Sequence, residues 1–221
     1  MMREVTILQQ DLRGDCAFSW DSASKKDQAR LESSCARSLT AAALSLYLKS
    51  TPSFEDLRGE VRTPEGKPYF PAFPAFHYSI SHSAGLVVCA AWEAPIGIDL
   101  QQIPSDPQNA MRIANHFFSE GEQNALRQLQ TEDPNAMLLL FSRLWTARES
   151  YVKLIGRGLA EPFDNYCPDL TEGRIHTKSG ESFSLTACRA PSGYCMTLCS
   201  HEPIPPEEIH YISYPISNCN S

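Results

Sequence analysis

Two carboxylates and a lysine stand out because of where their neighbours place them. In Ile96-Gly97-Ile98-Asp99-Leu100-Gln101 strict alternation sends Ile96, Ile98 and Leu100 to one face of a strand and Gly97, Asp99 and Gln101 to the other. Asp99 then sits where a carboxylate is unfavourable unless it is paired. Further along, Trp145, Glu149 and Val152 fall at i, i+4 and i+7, so Glu149 interrupts the apolar face of a helix. An exposed i,i+4 pair of Glu149 with Lys153, worth only about 0.3–0.5 kcal/mol, explains the spacing but not the apolar position. A strand carboxylate, a helix carboxylate and a lysine one turn on form a set suited to Mg²⁺ and phosphate. The oxygens are hard ligands for the ion, and the ammonium neutralises the anion.

The elements that must carry these residues are legible around them. Lys25 to Leu48 reads as a helix, with Leu31, Cys35, Leu39, Ala42 and Leu46 at three- and four-residue spacing. A second helix starts at Asp133-Pro134, an N-cap followed by proline at the first helical position. It carries Met137, Phe141, Leu144, Trp145, Val152 and Ile155 as its stripe and stops at Gly156 and Gly158. Tyr78 to His82, Leu86 to Ala90 and Ile96 to Leu100 read as three strands of an antiparallel meander. Ser182 to Arg189, Tyr194 to Ser200 and Ile209 to Tyr214 read as three more. The expected fold is α+β, built from two similar halves, each a long helix packed on a small antiparallel sheet, joined near Pro104 to Pro107.

Four motifs, in order, resemble those of the Sfp-type 4′-phosphopantetheinyl transferase family. They are Gly66-Lys67-Pro68-Tyr69, Ile80-Ser81-His82-Ser83, Ile96-Gly97-Ile98-Asp99-Leu100, and Leu144-Trp145-Thr146-Ala147-Arg148-Glu149-Ser150-Tyr151-Val152-Lys153 followed by Gly156-Arg157-Gly158-Leu159. The likeness runs from about Lys25 to Leu159 and is weaker beyond. It implies two α+β halves related by a pseudo-twofold, 1–104 and 105–221, with the active site between them. It also implies transfer of phosphopantetheine from coenzyme A to a serine hydroxyl of an acyl, peptidyl or polyketide carrier protein, leaving adenosine 3′,5′-bisphosphate. On that resemblance Asp99 and Glu149 hold Mg²⁺, Glu149 takes the serine proton and Lys153 neutralises the departing phosphate. Lys67, Ser81 and His82 hold coenzyme A phosphates, with Lys25 and Arg37 as further contacts.

Two positions depart from the family pattern. Gln101 stands where many members carry a glutamate as third carboxylate ligand; an amide oxygen can coordinate Mg²⁺, or water can fill the place. Arg148 stands where lysine is usual, keeping the charge but not the geometry. Loss of that carboxylate motivates an alternative, a coenzyme A or carrier-protein binding module impaired in catalysis. Outside the four-motif order, His82 reads as a polar turn residue, Lys67 as a surface lysine, and the Phe70, Phe73, Phe76 run as core and turn.

The totals agree with a globular chain: 221 residues, 42% hydrophobic, 19 Lys+Arg against 26 Asp+Glu. Such an acidic balance argues against nucleic acid as partner. The acidity is uneven, because residues 160–221 carry 3 Lys+Arg against 8 Asp+Glu while the first 159 carry 16 against 18. Residues 142–158 and 22–37 are locally basic, at net +3 and +2, and are the places for an anionic cofactor and an acidic partner. The longest apolar run, Leu86 to Trp92, is far short of a membrane span, and the stretch at the start is too short for a signal peptide. A cytoplasmic monomer is expected. Its eight cysteines (16, 35, 89, 167, 188, 195, 199 and 219), scattered without a CxxC pair, are expected to be thiols rather than disulfides or zinc ligands.

Overall fold

A computed structural model describes residues 4–14, 20–158 and 161–214. Leu159 of the last motif, Cys16 and Cys219 lie outside the described residues. The first long helix, α1 (Lys25–Leu48), and a short α2 (Phe54–Arg58) precede α3 (Pro107–Phe117), α4 (Glu120–Glu132) and the second long helix, α5 (Pro134–Ile155). Ser24 caps α1 by accepting the Asp27 amide, and Asp133 caps α5 by accepting those of Asn135 and Ala136. Gly156, at φ 76°, supplies the left-handed residue that closes α5. Of the stripe expected on α1, Cys35, Leu39 and Ala42 are buried, whereas Leu46 is 45% exposed. Neither α3 nor α4 was expected, although Asp106-Pro107 and the Ser119/Glu122 capping box announce their starts.

The strands form two main sheets. In the first, β1 (Val5–Asp11) lies between β5 (Leu86–Trp92) and β11 (Ile209–Ser213), and β5 pairs with β4 (His77–Ser83) in a hairpin. The sheet is antiparallel except for β1 and β11, which run parallel. In the second, β6 (Ile96–Gln102) pairs with β10 (Tyr194–Ser200). Beyond β10 follow β9 (Ser182–Ala187), β8 (Arg174–Thr177) and β7 (Tyr166–Asp169), all antiparallel. A two-stranded ribbon, β2 (Val61–Arg62) with β3 (Pro68–Tyr69), stands apart. The expected three-strand meander is therefore corrected: β6 leaves its neighbours in sequence for β10. The connection at 104 also does not separate the sheets, since β6 precedes it and β11 follows it.

The two sheets face each other across a core of Ile7, Val88 and Ala90 from the first and Ile96, Ile98, Leu100 and Leu198 from the second. Helix α1 covers the outer face of the first sheet, over Leu8, Val87, Cys89 and Tyr78. Helix α5 covers the second, with α3 and α4 packed beyond it. Phe70, Phe73 and Phe76 join Tyr47 and Tyr78 in an aromatic cluster within the core beside α1. Among the described residues no helix is long and apolar enough to cross a membrane.

A row of serines joins the sheets where β4 runs beside β6. The hydroxyls of Ser79, Ser81 and Ser83, two residues apart and so on one face of β4, accept the amides of Ile98, Leu100 and Gln102. These side-chain bonds satisfy the edge of β6 that backbone pairing leaves open.

Candidate active site

The serine row brings Ser81 against Asp99. Asp99 is 5% exposed, and its Oδ1 accepts from Ser81 Oγ at 2.8 Å and from Lys153 Nζ at 2.6 Å. Lys153 also donates to Ser81 Oγ at 2.9 Å, so strand β4, strand β6 and helix α5 meet in one triangle. What permits the approach of α5 is Gly97. A Cβ there would lie 2.0 Å from the Ser150 carbonyl oxygen and 2.5 Å from the Leu154 nitrogen. Glycine lets the helix backbone rest directly on β6, two residues before Asp99.

Glu149, one turn before Lys153, lines a cleft of about 670 Å³ beside this triangle. Among the described residues its carboxylate makes no hydrogen bond or ion pair, and Lys153 turns to Asp99 rather than to Glu149. The i,i+4 pair considered from spacing is thus not formed. Burial pushes the Glu149 carboxyl upward and the Asp99 charge adds to this, against the pull of Lys153. Asp99 is itself pushed up by burial, with Lys153 and Ser81 opposing. Two buried carboxylates, one raising the proton affinity of the other and that other unpartnered in a cleft among the described residues, are a donor set short of positive charge. Hard oxygens in that state fit a small divalent cation.

The charged residues in the rest of the cleft's lining are mostly cationic. Arg37 from α1, Arg62 from β2, Lys67, His82 and Lys153 line it, together with Glu60 and Glu65. Lys67 lies over the end of α5: its stem packs against Gly156 and its Nζ donates to the Leu154 carbonyl at 2.5 Å. Burial there lowers its pKa to about 8. His82 Nδ1 is held 3.0 Å from Glu32 of α1.

The structure therefore gathers Arg37, Lys67, His82, Glu149 and Lys153 around one cleft, with Asp99 beneath them. The other candidates stand elsewhere. Ser81 does not line the cleft; it is 4% exposed, with its hydroxyl bonded to Asp99, Lys153 and the Leu100 amide. Lys25, at the first turn of α1, lies about 12 Å along the helix axis from Ser33, where the cleft lining begins. Gln101 shares the strand face of Asp99 but also lies off the cleft, its amide nitrogen donating to the Gln102 carbonyl. Arg148 does not face the cleft either. At 1% exposure it makes two bonds of 2.8 and 2.6 Å to Glu122 and lies over the Phe118 ring, locking α5 to α4. Sequence reasoning overlooked Glu32 and Glu122. Glu122 has a signal in its capping box, whereas Glu32 has none, because its partner is fifty residues away.

Comparison with known proteins points to one family. The family model described as the 4′-phosphopantetheinyl transferase superfamily matches residues 95–209, just over half of the chain, from β6 through α5 to the start of β11. The chain is 33% identical over 153 residues to 4′-phosphopantetheinyl transferase Sfp of Bacillus subtilis (strain 168), covering 67% of this chain and 66% of the relative. It is 39% identical over 93 residues to 4′-phosphopantetheinyl transferase gsp of Aneurinibacillus migulanus, covering 42% and 37%. It is 32% identical over 108 residues to the L-aminoadipate-semialdehyde dehydrogenase-phosphopantetheinyl transferase of Xenopus laevis, covering 44% and 35%. The matches span just under two thirds of the length of the first of these relatives and less of the others. With Asp99, Glu149 and Lys153 all inside the matched segment, the chain belongs to the 4′-phosphopantetheinyl transferase superfamily.

Proposed function

We propose that this protein transfers the 4′-phosphopantetheine group from coenzyme A to a serine hydroxyl of an apo acyl, peptidyl or polyketide carrier protein. The observation that supports it most directly is the pair of carboxylates, Asp99 and Glu149, beside Lys153 at a cleft walled by Arg37, Lys67 and His82. Coenzyme A carries a pyrophosphate and a 3′-phosphate, and the basic wall complements both. In the reaction the serine oxygen forms a bond to the β-phosphorus and the bridging P–O bond breaks. Adenosine 3′,5′-bisphosphate leaves with the electron pair of that bond.

Glu149 takes the serine proton on its carboxylate; its lack of a hydrogen-bond partner among the described residues leaves it available as a base. Lys153 offers its ammonium to the departing phosphate. Lys67, His82 and Arg37 hold the phosphates, while Ser81 fixes Asp99 and Lys153 rather than touching the cofactor. Asp99 and Glu149 would hold Mg²⁺, with the amide oxygen of Gln101 or water completing the set. That ion supplies charge neutralisation of the pyrophosphate. Lys25 remains a candidate for contacts at the outer end of α1. The two halves, 1–104 and 105–221, frame the cleft, and the protein acts as a cytoplasmic monomer.

The test follows adenosine 3′,5′-bisphosphate by chromatography. Its release from coenzyme A is expected only when an apo carrier protein and Mg²⁺ are both present. Release without carrier would make the protein a hydrolase, and no release with any of a panel of carriers would leave only a binding module.

A further inference from the structure

We infer that Glu32 is a positioning residue for His82, fixing the imidazole so that Nε2 is presented to the phosphates in the cleft. Glu32 comes from the middle of α1 and is 8% exposed, an unusual place for a carboxylate. Both its oxygens are engaged on the β4–β5 hairpin. Oε1 accepts the Gly85 amide at 3.1 Å, and Oε2 lies 3.0 Å from His82 Nδ1. Gly85 is buried, whereas His82 is exposed. Gly85 is the second residue of a tight turn in which Ala84 and Gly85 both have positive φ, and His82 has 47% of its side chain exposed in the cleft.

The carboxylate accepts only, so the ring nitrogen facing it must carry the proton. With Nδ1 committed to Glu32, Nε2 is the atom left for the cleft. When the ring is charged, that atom is an N–H donor to phosphate. One side chain thus ties three things together: the helix that carries Arg37, the turn that ends β4, and the orientation of the histidine.

The ligand part of this inference rests on the proposed function; the tautomer does not. The experiment uses the full chain and two readouts. Nitrogen chemical shifts of His82 in the neutral form should report Nδ1–H in the wild type and a shift toward Nε2–H in Glu32→Gln, whose amide donates to Nδ1 while still accepting from Gly85. Calorimetric titration with adenosine 3′,5′-bisphosphate should show affinity about fivefold weaker in Glu32→Gln, the upper end of what a partly exposed ion pair contributes. The same substitution in a His82→Gln background should have no further effect on affinity, since Glu32 acts through the ring. A purely structural Glu32 would weaken binding equally in both backgrounds, and that result overturns the inference. So does a wild-type Nε2–H tautomer, or equal affinity of wild type and Glu32→Gln. If the wild type does not bind the bisphosphate at all, the reading of the cleft fails with its ligand-directed part, while the nitrogen shifts still decide whether Glu32 sets the ring.

Discussion

Gly97→Ala should uncouple the two carboxylates by pushing α5 off β6. The added methyl would sit 2.0 Å from the Ser150 carbonyl oxygen, so strand and helix must separate by about 1.4 Å to reach ordinary contact at 3.4 Å. Both close atoms are backbone, so no rotamer change relieves the clash. Overpacking of this kind costs about 1–3 kcal/mol, and the absence of a flexible partner places it at the upper end. For a chain of this size about 3 kcal/mol corresponds to a fall in melting temperature of roughly 6–12 °C. The effect on chemistry should be larger, because Lys153 and Glu149 ride on the displaced helix while Asp99 stays on the strand. A misplacement near 1 Å costs on the order of a hundredfold in rate. Differential scanning calorimetry and the carrier-modification assay, run below the variant's melting temperature, measure the two parts separately. A Gly97→Ala protein that melts within 2 °C of wild type or turns over at full rate would refute the argument that this contact sets the site.

Other consequences follow from individual side chains. Lys67 titrates near pH 8 in the free protein, so calorimetric affinity for adenosine 3′,5′-bisphosphate should fall by up to about tenfold per unit above pH 8; Lys67→Arg should flatten that profile. Between pH 8 and 10.5 the unfolded chain holds the Lys67 proton that the fold releases, so this residue's contribution to stability should rise with pH across that window, as denaturant titrations of wild type and Lys67→Met can show. Arg148→Ala removes both bonds to Glu122, whose Oε2 keeps the Ser119 amide and hydroxyl, and should destabilise by about 1.5–3 kcal/mol, with Arg148→Lys recovering only part because it cannot make both bonds. Ala84 holds a φ of 46° in the β4–β5 turn, so Ala84→Gly should stabilise by about 1 kcal/mol, read as a melting-temperature rise of roughly 2–4 °C.

The parts of the fold visible in the sequence were those specified by short-range chemistry. Helix α1 and helix α5 occupy the expected residues because Asp133-Pro134 and Gly156 punctuate α5 and apolar spacing marks both. The alternation of Ile96, Ile98 and Leu100 gave the buried face of β6 correctly but not its partner. Alternation sets which face is inward and is silent about which edge is paired; here β10, almost a hundred residues on, takes one edge and three serine hydroxyls take the other. In the site, Glu149 was conspicuous because it breaks an apolar face, and Asp99 because its strand left it on a covered one. From sequence Arg148 is a mere change of cation, since nothing nearby in the chain shows Glu122 and Phe118 closing around it. Gly97 gave no signal beyond being glycine, because its function lies in the helix that crosses it.

The most direct test of the account is the intact mass of an apo carrier protein after incubation with coenzyme A and Mg²⁺, compared between wild type and Glu149→Gln. Wild type should add one phosphopantetheine to a single serine, and Glu149→Gln should slow that addition by about a hundredfold or more, the range for loss of a general base. An unmodified carrier with wild type, or equal rates for the two proteins, would contradict it.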